Sequence, residues 1–139
     1  MIKALADRLA EAFTELLHFK MRKEMWGYVP QENLSLDDML LEKYTGIRPA
    51  HGYPACPDHS EKTTLFNLLN VEKITGISLS ESYSMIPAAS VSGLVFANPN
   101  SRYFFVGNIS EDQVHDYALR KGMTVQSNES LLASNLNYK

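Results

Sequence analysis

Arg48, His51, Tyr53, Cys56, Asp58 and His59 fall within the twelve residues Arg48-Pro49-Ala50-His51-Gly52-Tyr53-Pro54-Ala55-Cys56-Pro57-Asp58-His59. An arginine can pair with a carboxylate in a forked geometry, and a tyrosine offers both a hydroxyl and a ring face. The cysteine and two histidines suggest thiol chemistry or a metal. A structural zinc site normally takes four protein ligands and usually several thiolates, whereas the chain has one cysteine. A nucleophilic Cys56 needs a base and an oxyanion site, and nothing in the spacing fixes His51 or His59 as that base. A cysteine packed between prolines is the simpler reading.

Three prolines and a glycine keep this stretch out of helix and regular strand, because proline fixes φ, removes an amide donor and pushes its predecessor toward extended geometry. A segment so restricted loses little freedom on binding, so its peptide groups and the Arg48 and Tyr53 side chains would be held ready for a ligand. A rigid connector between helices is the competing reading.

From Ile2, the apolar positions Leu5, Leu9, Phe13, Leu16 and Leu17 recur at helical steps among Asp7, Arg8, Glu11, Glu15 and Lys20, predicting an amphipathic helix to about Trp26-Gly27. Ser35, followed by Asp37 and Asp38, predicts a short helix to about Tyr44, stopped near Gly46. Ser60 and Glu61 open a third helix that Gly76 closes. Tyr83, Met85, Ser90 to Ala97 and Tyr103 to Val106, broken by Pro87 and Asn98-Pro99-Asn100, predict two or three antiparallel strands with one hairpin turn. Ser110 caps a helix ending at Gly122, and Thr124 caps a last one reaching about Leu132. The order of elements predicts an α+β fold in which helices flank a small antiparallel sheet.

The remaining acids Asp37, Asp38, Glu111 and Asp112 fall in first helical turns, where the helix dipole explains them. His18 and His115 lie within helical patterns and read as surface or cap residues. In Tyr103-Phe104, strand alternation predicts that one ring is core and the other faces outward.

At 139 residues the chain is sized for a single domain over residues 1–139. A net charge of −3 gives no electrostatic basis for nucleic acid or an anionic membrane. No apolar run approaches the roughly 20 residues that cross a bilayer. The lone cysteine and the absence of a signal-peptide pattern predict the cytoplasm.

The run Gly46 to Lys62 closely resembles the S-adenosylmethionine-binding loop of the activation domain of cobalamin-dependent methionine synthase. Leu9-Ala10-Glu11-Ala12-Phe13, Trp26-Gly27-Tyr28, Glu32-Asn33-Leu34, Ala88 to Gly93, Ser101-Arg102-Tyr103, Asp116-Tyr117-Ala118 and Arg120 to Met123 match in the family's order. The likeness is to the C-terminal part of that domain, because the family's long N-terminal portion has no counterpart here. It implies S-adenosylmethionine contacts from Glu11, Arg48, Ala50, Gly52, Tyr53, Tyr103 and Phe104, although Phe104 stands where the family often has a second tyrosine.

The resemblance further implies that the chain docks on the cobalamin-binding module of methionine synthase. There S-adenosylmethionine supplies a methyl group while a flavodoxin-type protein delivers an electron, so that oxidised cobalamin is reductively methylated. Such a module positions its ligand and moves no proton, so no catalytic residue and no metal are expected in this chain. Small residues in the segment Ser84 to Val91 suit approach to a corrin ring. A missing N-terminal portion would leave an apolar face or open sheet edge uncovered on the strands around Val91 to Ala97 and Tyr103 to Val106, predicting self-association, with a homodimer as one form of it. The rival reading is a non-catalytic adaptor that caps a corrinoid protein or flavodoxin without S-adenosylmethionine affinity.

Overall fold

The computed structural model describes residues 1–138. Six α-helices account for most of the regular structure: α1 (Ile2–Lys20), α2 (Leu36–Leu40), α3 (Glu61–Leu69), α4 (Val71–Thr75), α5 (Glu111–Lys121) and α6 (Val125–Leu131). Two strands of two residues each, β1 (Ser78–Leu79) and β2 (Met85–Ile86), pair in one small sheet. The fold is α+β, helices plus a minimal two-stranded antiparallel sheet.

The chain folds into two compact units, one of residues 1–48 and 85–102, the other of residues 49–84 and 103–138. In the first unit α1 runs on through a π-helical turn at Met21–Met25, and Gly27 reverses the chain at φ 67°. The Ser35 hydroxyl accepts from the Asp38 amide at 3.1 Å, as the cap reading requires. The helix it starts stops at Leu40, short of the expected Tyr44, because Glu42 turns to φ 54°.

In the second unit the third predicted helix is interrupted at Asn70, which takes a left-handed φ of 53°; Gly76 ends α4 as expected. Ser110 and Thr124 cap α5 and α6. The Ser110 amide donates to the Gln113 side chain at 2.9 Å, and the Thr124 hydroxyl accepts from the Ser127 amide at 3.2 Å. These two helices close over a core of Ile109, Val114 and Leu132, ringed by Tyr117, Val125, Leu136 and Tyr138.

The strand expectation needs correction. Only Met85 with Ile86 is regular strand, and its partner is Ser78–Leu79, which the sequence pattern does not mark. The turn of this hairpin is at residues 80–84, where the Ser80 amide donates to the Ser84 carbonyl at 2.9 Å. Residues 90–97 make a single bridge, Ile47 with Phe96, and residues 103–106 are irregular. Their amides find loop partners in place of a ladder: Phe96 N donates to Ile47 O at 3.0 Å and Val106 N to Pro54 O at 3.0 Å. Satisfied in this way, β-prone residues have no need of a strand. Asn98 does form a turn, its side chain accepting from the Asn100 amide at 2.8 Å, but no strands flank it.

The amphipathic reading of α1 holds for its pattern, but the apolar stripe stays open. Ile2, Leu5, Leu9 and Phe13 are all exposed, Phe13 at 64%. What α1 buries is polar, His18 here and Arg22 in the turn beyond.

Leu132→Ala should cost about 2–5 kcal/mol of unfolding free energy through lost burial and the cavity it leaves. Leu119→Ala, on the exposed side of α5, should change it by less than about 0.5 kcal/mol. Urea unfolding of the two variants beside the parent checks the contrast; equal losses would contradict this placement of the core.

Candidate functional site

The proline-rich loop folds on itself by short-range bonds. Gly52 N donates to Cys56 O at 2.7 Å and Cys56 N to Tyr53 O at 2.8 Å, closing a tight turn over Pro54-Ala55. Gly52 sits at φ 92°, and a Cβ there would lie 2.1 Å from the His59 ring, so the close packing of that ring requires glycine. The amide of Gly52 and the carbonyl of Tyr53 are therefore taken up inside the loop. The Tyr53 side chain is exposed at 57%.

The far end of the loop is bolted to α5. Asp58 is buried, and its Oδ1 accepts from the Ser60 amide at 2.8 Å and the Ser60 hydroxyl at 2.7 Å. Its Oδ2 accepts from Tyr117 at 2.8 Å and from the Lys121 ammonium, which also donates to Glu61 at 2.7 Å. Burial alone would raise the Asp58 pKa; the Lys121, Ser60 and Tyr117 hydrogen bonds outweigh it and hold the carboxyl below its ordinary value. An open cavity of about 510 Å³ beside this cluster is lined by Ser60, Glu61, Tyr83, Tyr117 and Lys121 among others.

Cys56 is half-buried and burial pushes its thiol pKa up, opposite to the activation that a nucleophilic thiolate requires. His59 is occupied by Lys62, whose ammonium donates to Nδ1 at 2.9 Å. Among the described residues no group of three His, Cys, Asp or Glu side chains is placed to hold a metal ion.

Arg48 belongs to the first unit. Its Nη2 pairs with Glu15 of α1, and its Cζ lies 5.9 Å from the centre of the Tyr44 ring. Burial by itself would lower the Arg48 pKa, but the Glu15 hydrogen bond and charge outweigh it and raise it. Nη1 is buried and has no hydrogen-bond partner. An unsatisfied buried donor on a charged group costs about 1–3 kcal/mol or more, a cost that an incoming acceptor would relieve.

Next to Arg48 lies a buried polar chain. Arg22 is 1% exposed and reaches Glu32 through Nε at 2.9 Å and Nη2 at 2.8 Å. Its Nη1 donates at 2.9 Å to His18 Nδ1, which must therefore be unprotonated. The proton sits on His18 Nε2 and points to the Tyr28 hydroxyl at 3.1 Å. His18 also meets the Tyr44 ring edge-on at 4.7 Å. The expectation of a surface or cap histidine is thus wrong: on α1 the buried side is polar, so the apolar stripe misplaces His18. Burial first, then the Arg22 and Arg48 charges, drop its pKa from 6.5 to about 4.

The other expected contacts are accessible. Glu11 is exposed on α1, Ala50 is half-buried, and Tyr103 and Phe104 are both exposed. The expectation that one of the pair is core fails because residues 103–106 are not a strand, so alternation does not apply. Tyr103 packs edge-on against Phe105 instead, at 6.4 Å between ring centres. The structure thus groups Arg48 with Glu15 and Tyr44 in one unit, and Gly52 and Tyr53 with Cys56 and His59 in the other. Sequence patterning does not single out Glu15 or Tyr44. Glu15 stands 33 residues from Arg48, and its helical position one turn after Glu11 is the one available signal.

Residues 1–122 match the family model described as vitamin B12 dependent methionine synthase, activation domain. The chain belongs to that activation-domain family. Its whole length is similar to a crystal structure of the MetH reactivation domain bound to AdoHcy, with 59% sequence identity and a TM-score of 0.96. The chain spans 43% of that protein's length. An activation-domain fold built largely on short helices is therefore what the helices, caps and minimal sheet assemble.

The His18 shift makes stability depend on pH. Between about pH 4 and 6.5 the unfolded chain holds a proton at this position that the folded protein lacks, so stability rises with pH there. The contribution is complete above 6.5 and lost as pH falls to about 4, amounting to roughly 3 kcal/mol. His59, held below its ordinary value by burial and Lys62, adds a slope of the same sign. Urea unfolding from pH 7 to 4 should show the larger slope vanish in His18→Gln while the His59 part remains; identical slopes in variant and parent would assign the effect elsewhere.

Proposed function

We propose that this chain is the C-terminal part of the activation domain of a cobalamin-dependent methionine synthase, a 5-methyltetrahydrofolate-homocysteine methyltransferase, and that it binds S-adenosylmethionine. The observation that carries the reading is the 59% identity, over the whole chain, to a reactivation domain crystallised with AdoHcy. AdoHcy is what S-adenosylmethionine becomes on losing its methyl group. Its amino-acid end presents a carboxylate, and Arg48 offers a buried guanidinium nitrogen with no partner. A charge-assisted bond there satisfies both groups.

The exposed rings of Tyr53 and Tyr103 suit the remaining demands of the ligand, because aromatic faces attract a sulfonium cation and stack on adenine. Glu11, exposed on α1, can accept from the ligand's ammonium or ribose. Cobalamin, carried by the partner module, supplies the reduced cobalt that takes the methyl group. Because the sulfonium is already an activated leaving group, the chain has only to orient the ligand and exclude water, and no acid/base pair is needed. Small side chains at Ala88, Ala89 and Ser90 leave room for a flat macrocycle.

The setting that fits is the cytoplasm, with a flavodoxin-type protein as electron donor. No helix among the described residues is long and apolar enough to cross a membrane.

Arg48→Ala should weaken AdoHcy and S-adenosylmethionine binding by about 1.5–3 kcal/mol, the range for a hydrogen bond to a charged group. The melting temperature should barely move. Titration calorimetry with both ligands decides this, and equal affinity in variant and parent would reduce Arg48 to a structural residue.

The open stripe Ile2, Leu5, Leu9 and Phe13 supports self-association of the chain, since soluble monomers seldom expose so continuous an apolar face. Sedimentation from low micromolar to several hundred micromolar should show a monomer–dimer equilibrium. A monodisperse monomer throughout that range would defeat it.

A further inference from the structure

Arg48 can serve a ligand only if its guanidinium is held in one orientation, and two neighbours in its own unit do this. Glu15 pairs with Nη2, which stops rotation of the guanidinium about its bond to the chain. The Tyr44 ring, itself buried, lies 5.9 Å from Cζ and limits movement out of the plane. Tyr44 is fixed in turn, with Arg22 4.5 Å from its ring centre and His18 against its edge. The result is an asymmetric fork in which Nη2 is engaged by the protein and Nη1 is buried and unpartnered. A guanidinium free to rotate would exchange the two nitrogens and average out that asymmetry.

Resting on the reading that Arg48 receives the carboxylate of S-adenosylmethionine, we propose that Glu15 is a positioning residue for that contact. By occupying Nη2 against the Tyr44 ring, it presents Nη1 to the ligand. Glu15 touches no ligand atom in this arrangement; it acts through Arg48. The opposite role, a competitor that the ligand carboxylate must displace, predicts the reverse effect on affinity, so the two are separable.

The test compares the full chain with Glu15→Gln and Arg48→Ala, titrated with AdoHcy and with 5′-methylthioadenosine, which lacks the carboxylate. Glu15→Gln should weaken AdoHcy binding by about 3- to 5-fold, as expected for a partly exposed ion pair, and leave the affinity for 5′-methylthioadenosine unchanged. A merely structural Glu15 would shift both ligands alike. In parallel, nitrogen-15 exchange spectroscopy of the Arg48 guanidinium, assigned by its absence in Arg48→Ala, should show slow rotation in the parent and faster rotation in Glu15→Gln. Unchanged or tightened AdoHcy binding, equal losses for the two ligands, or equal rotation rates overturn the proposal. If Arg48→Ala leaves AdoHcy binding intact, or the parent binds no AdoHcy, the functional reading fails by itself and the rotation rates still decide whether Glu15 orients Arg48.

Discussion

The carboxylate of Asp58 gathers the Ser60 amide and hydroxyl, the Tyr117 hydroxyl and the Lys121 ammonium, and the shape of the proline-rich loop depends on that convergence. A carboxylate taken out of water must have its lone pairs filled, and here four donors fill them. Two of the donors come from α5 and two from the start of α3, so one acid fixes where both helices stand relative to the loop. Prolines restrict the loop's own dihedrals, but they do not anchor it; the anchor is electrostatic. Removal of Lys121 would leave a buried charge, which is far worse than the loss of a surface ion pair.

A second polar assembly does the same for the first unit. Arg22, Glu32, His18 and Tyr28 are linked end to end, with Arg22 and His18 among the most deeply buried side chains of the chain. Buried ion pairs of this kind rarely add net stability over a packed apolar equivalent, but they specify one arrangement because every member must meet its partner. Here the arrangement includes Tyr44, and through Tyr44 the surface on which Arg48 lies. The placement of Arg48 thus rests on polar contacts.

The apolar core is correspondingly small. Ile109, Val114 and Leu132 form its buried centre, whereas Ile2, Leu5, Leu9 and Phe13 of α1 face outward. The chain spans 43% of the length of the reactivation-domain protein it matches. The two-residue strands add little to this core, since a sheet this short offers no long ladder of its own.

Helix starts are legible in the amino-acid order because caps are local: Ser35 with Asp38, Ser110 with Gln113 and Thr124 with Ser127 need only residues three apart. Legible too are the irregular proline loop, the α+β class and, through the long motif around Arg48, the family. The strands are not. Residues 90–97 and 103–106 carry β-prone side chains, but whether their amides meet a ladder or a loop carbonyl depends on what lies across from them, as Pro54 lies across from Val106. His18 escapes a local reading as well, since helical periodicity identifies an apolar stripe and the face that α1 buries is the polar one. That Arg48 is held by Glu15 and Tyr44 with one nitrogen left over is a property of the folded chain. Pairings across 33 residues arise from how the chain closes, and no local propensity encodes them.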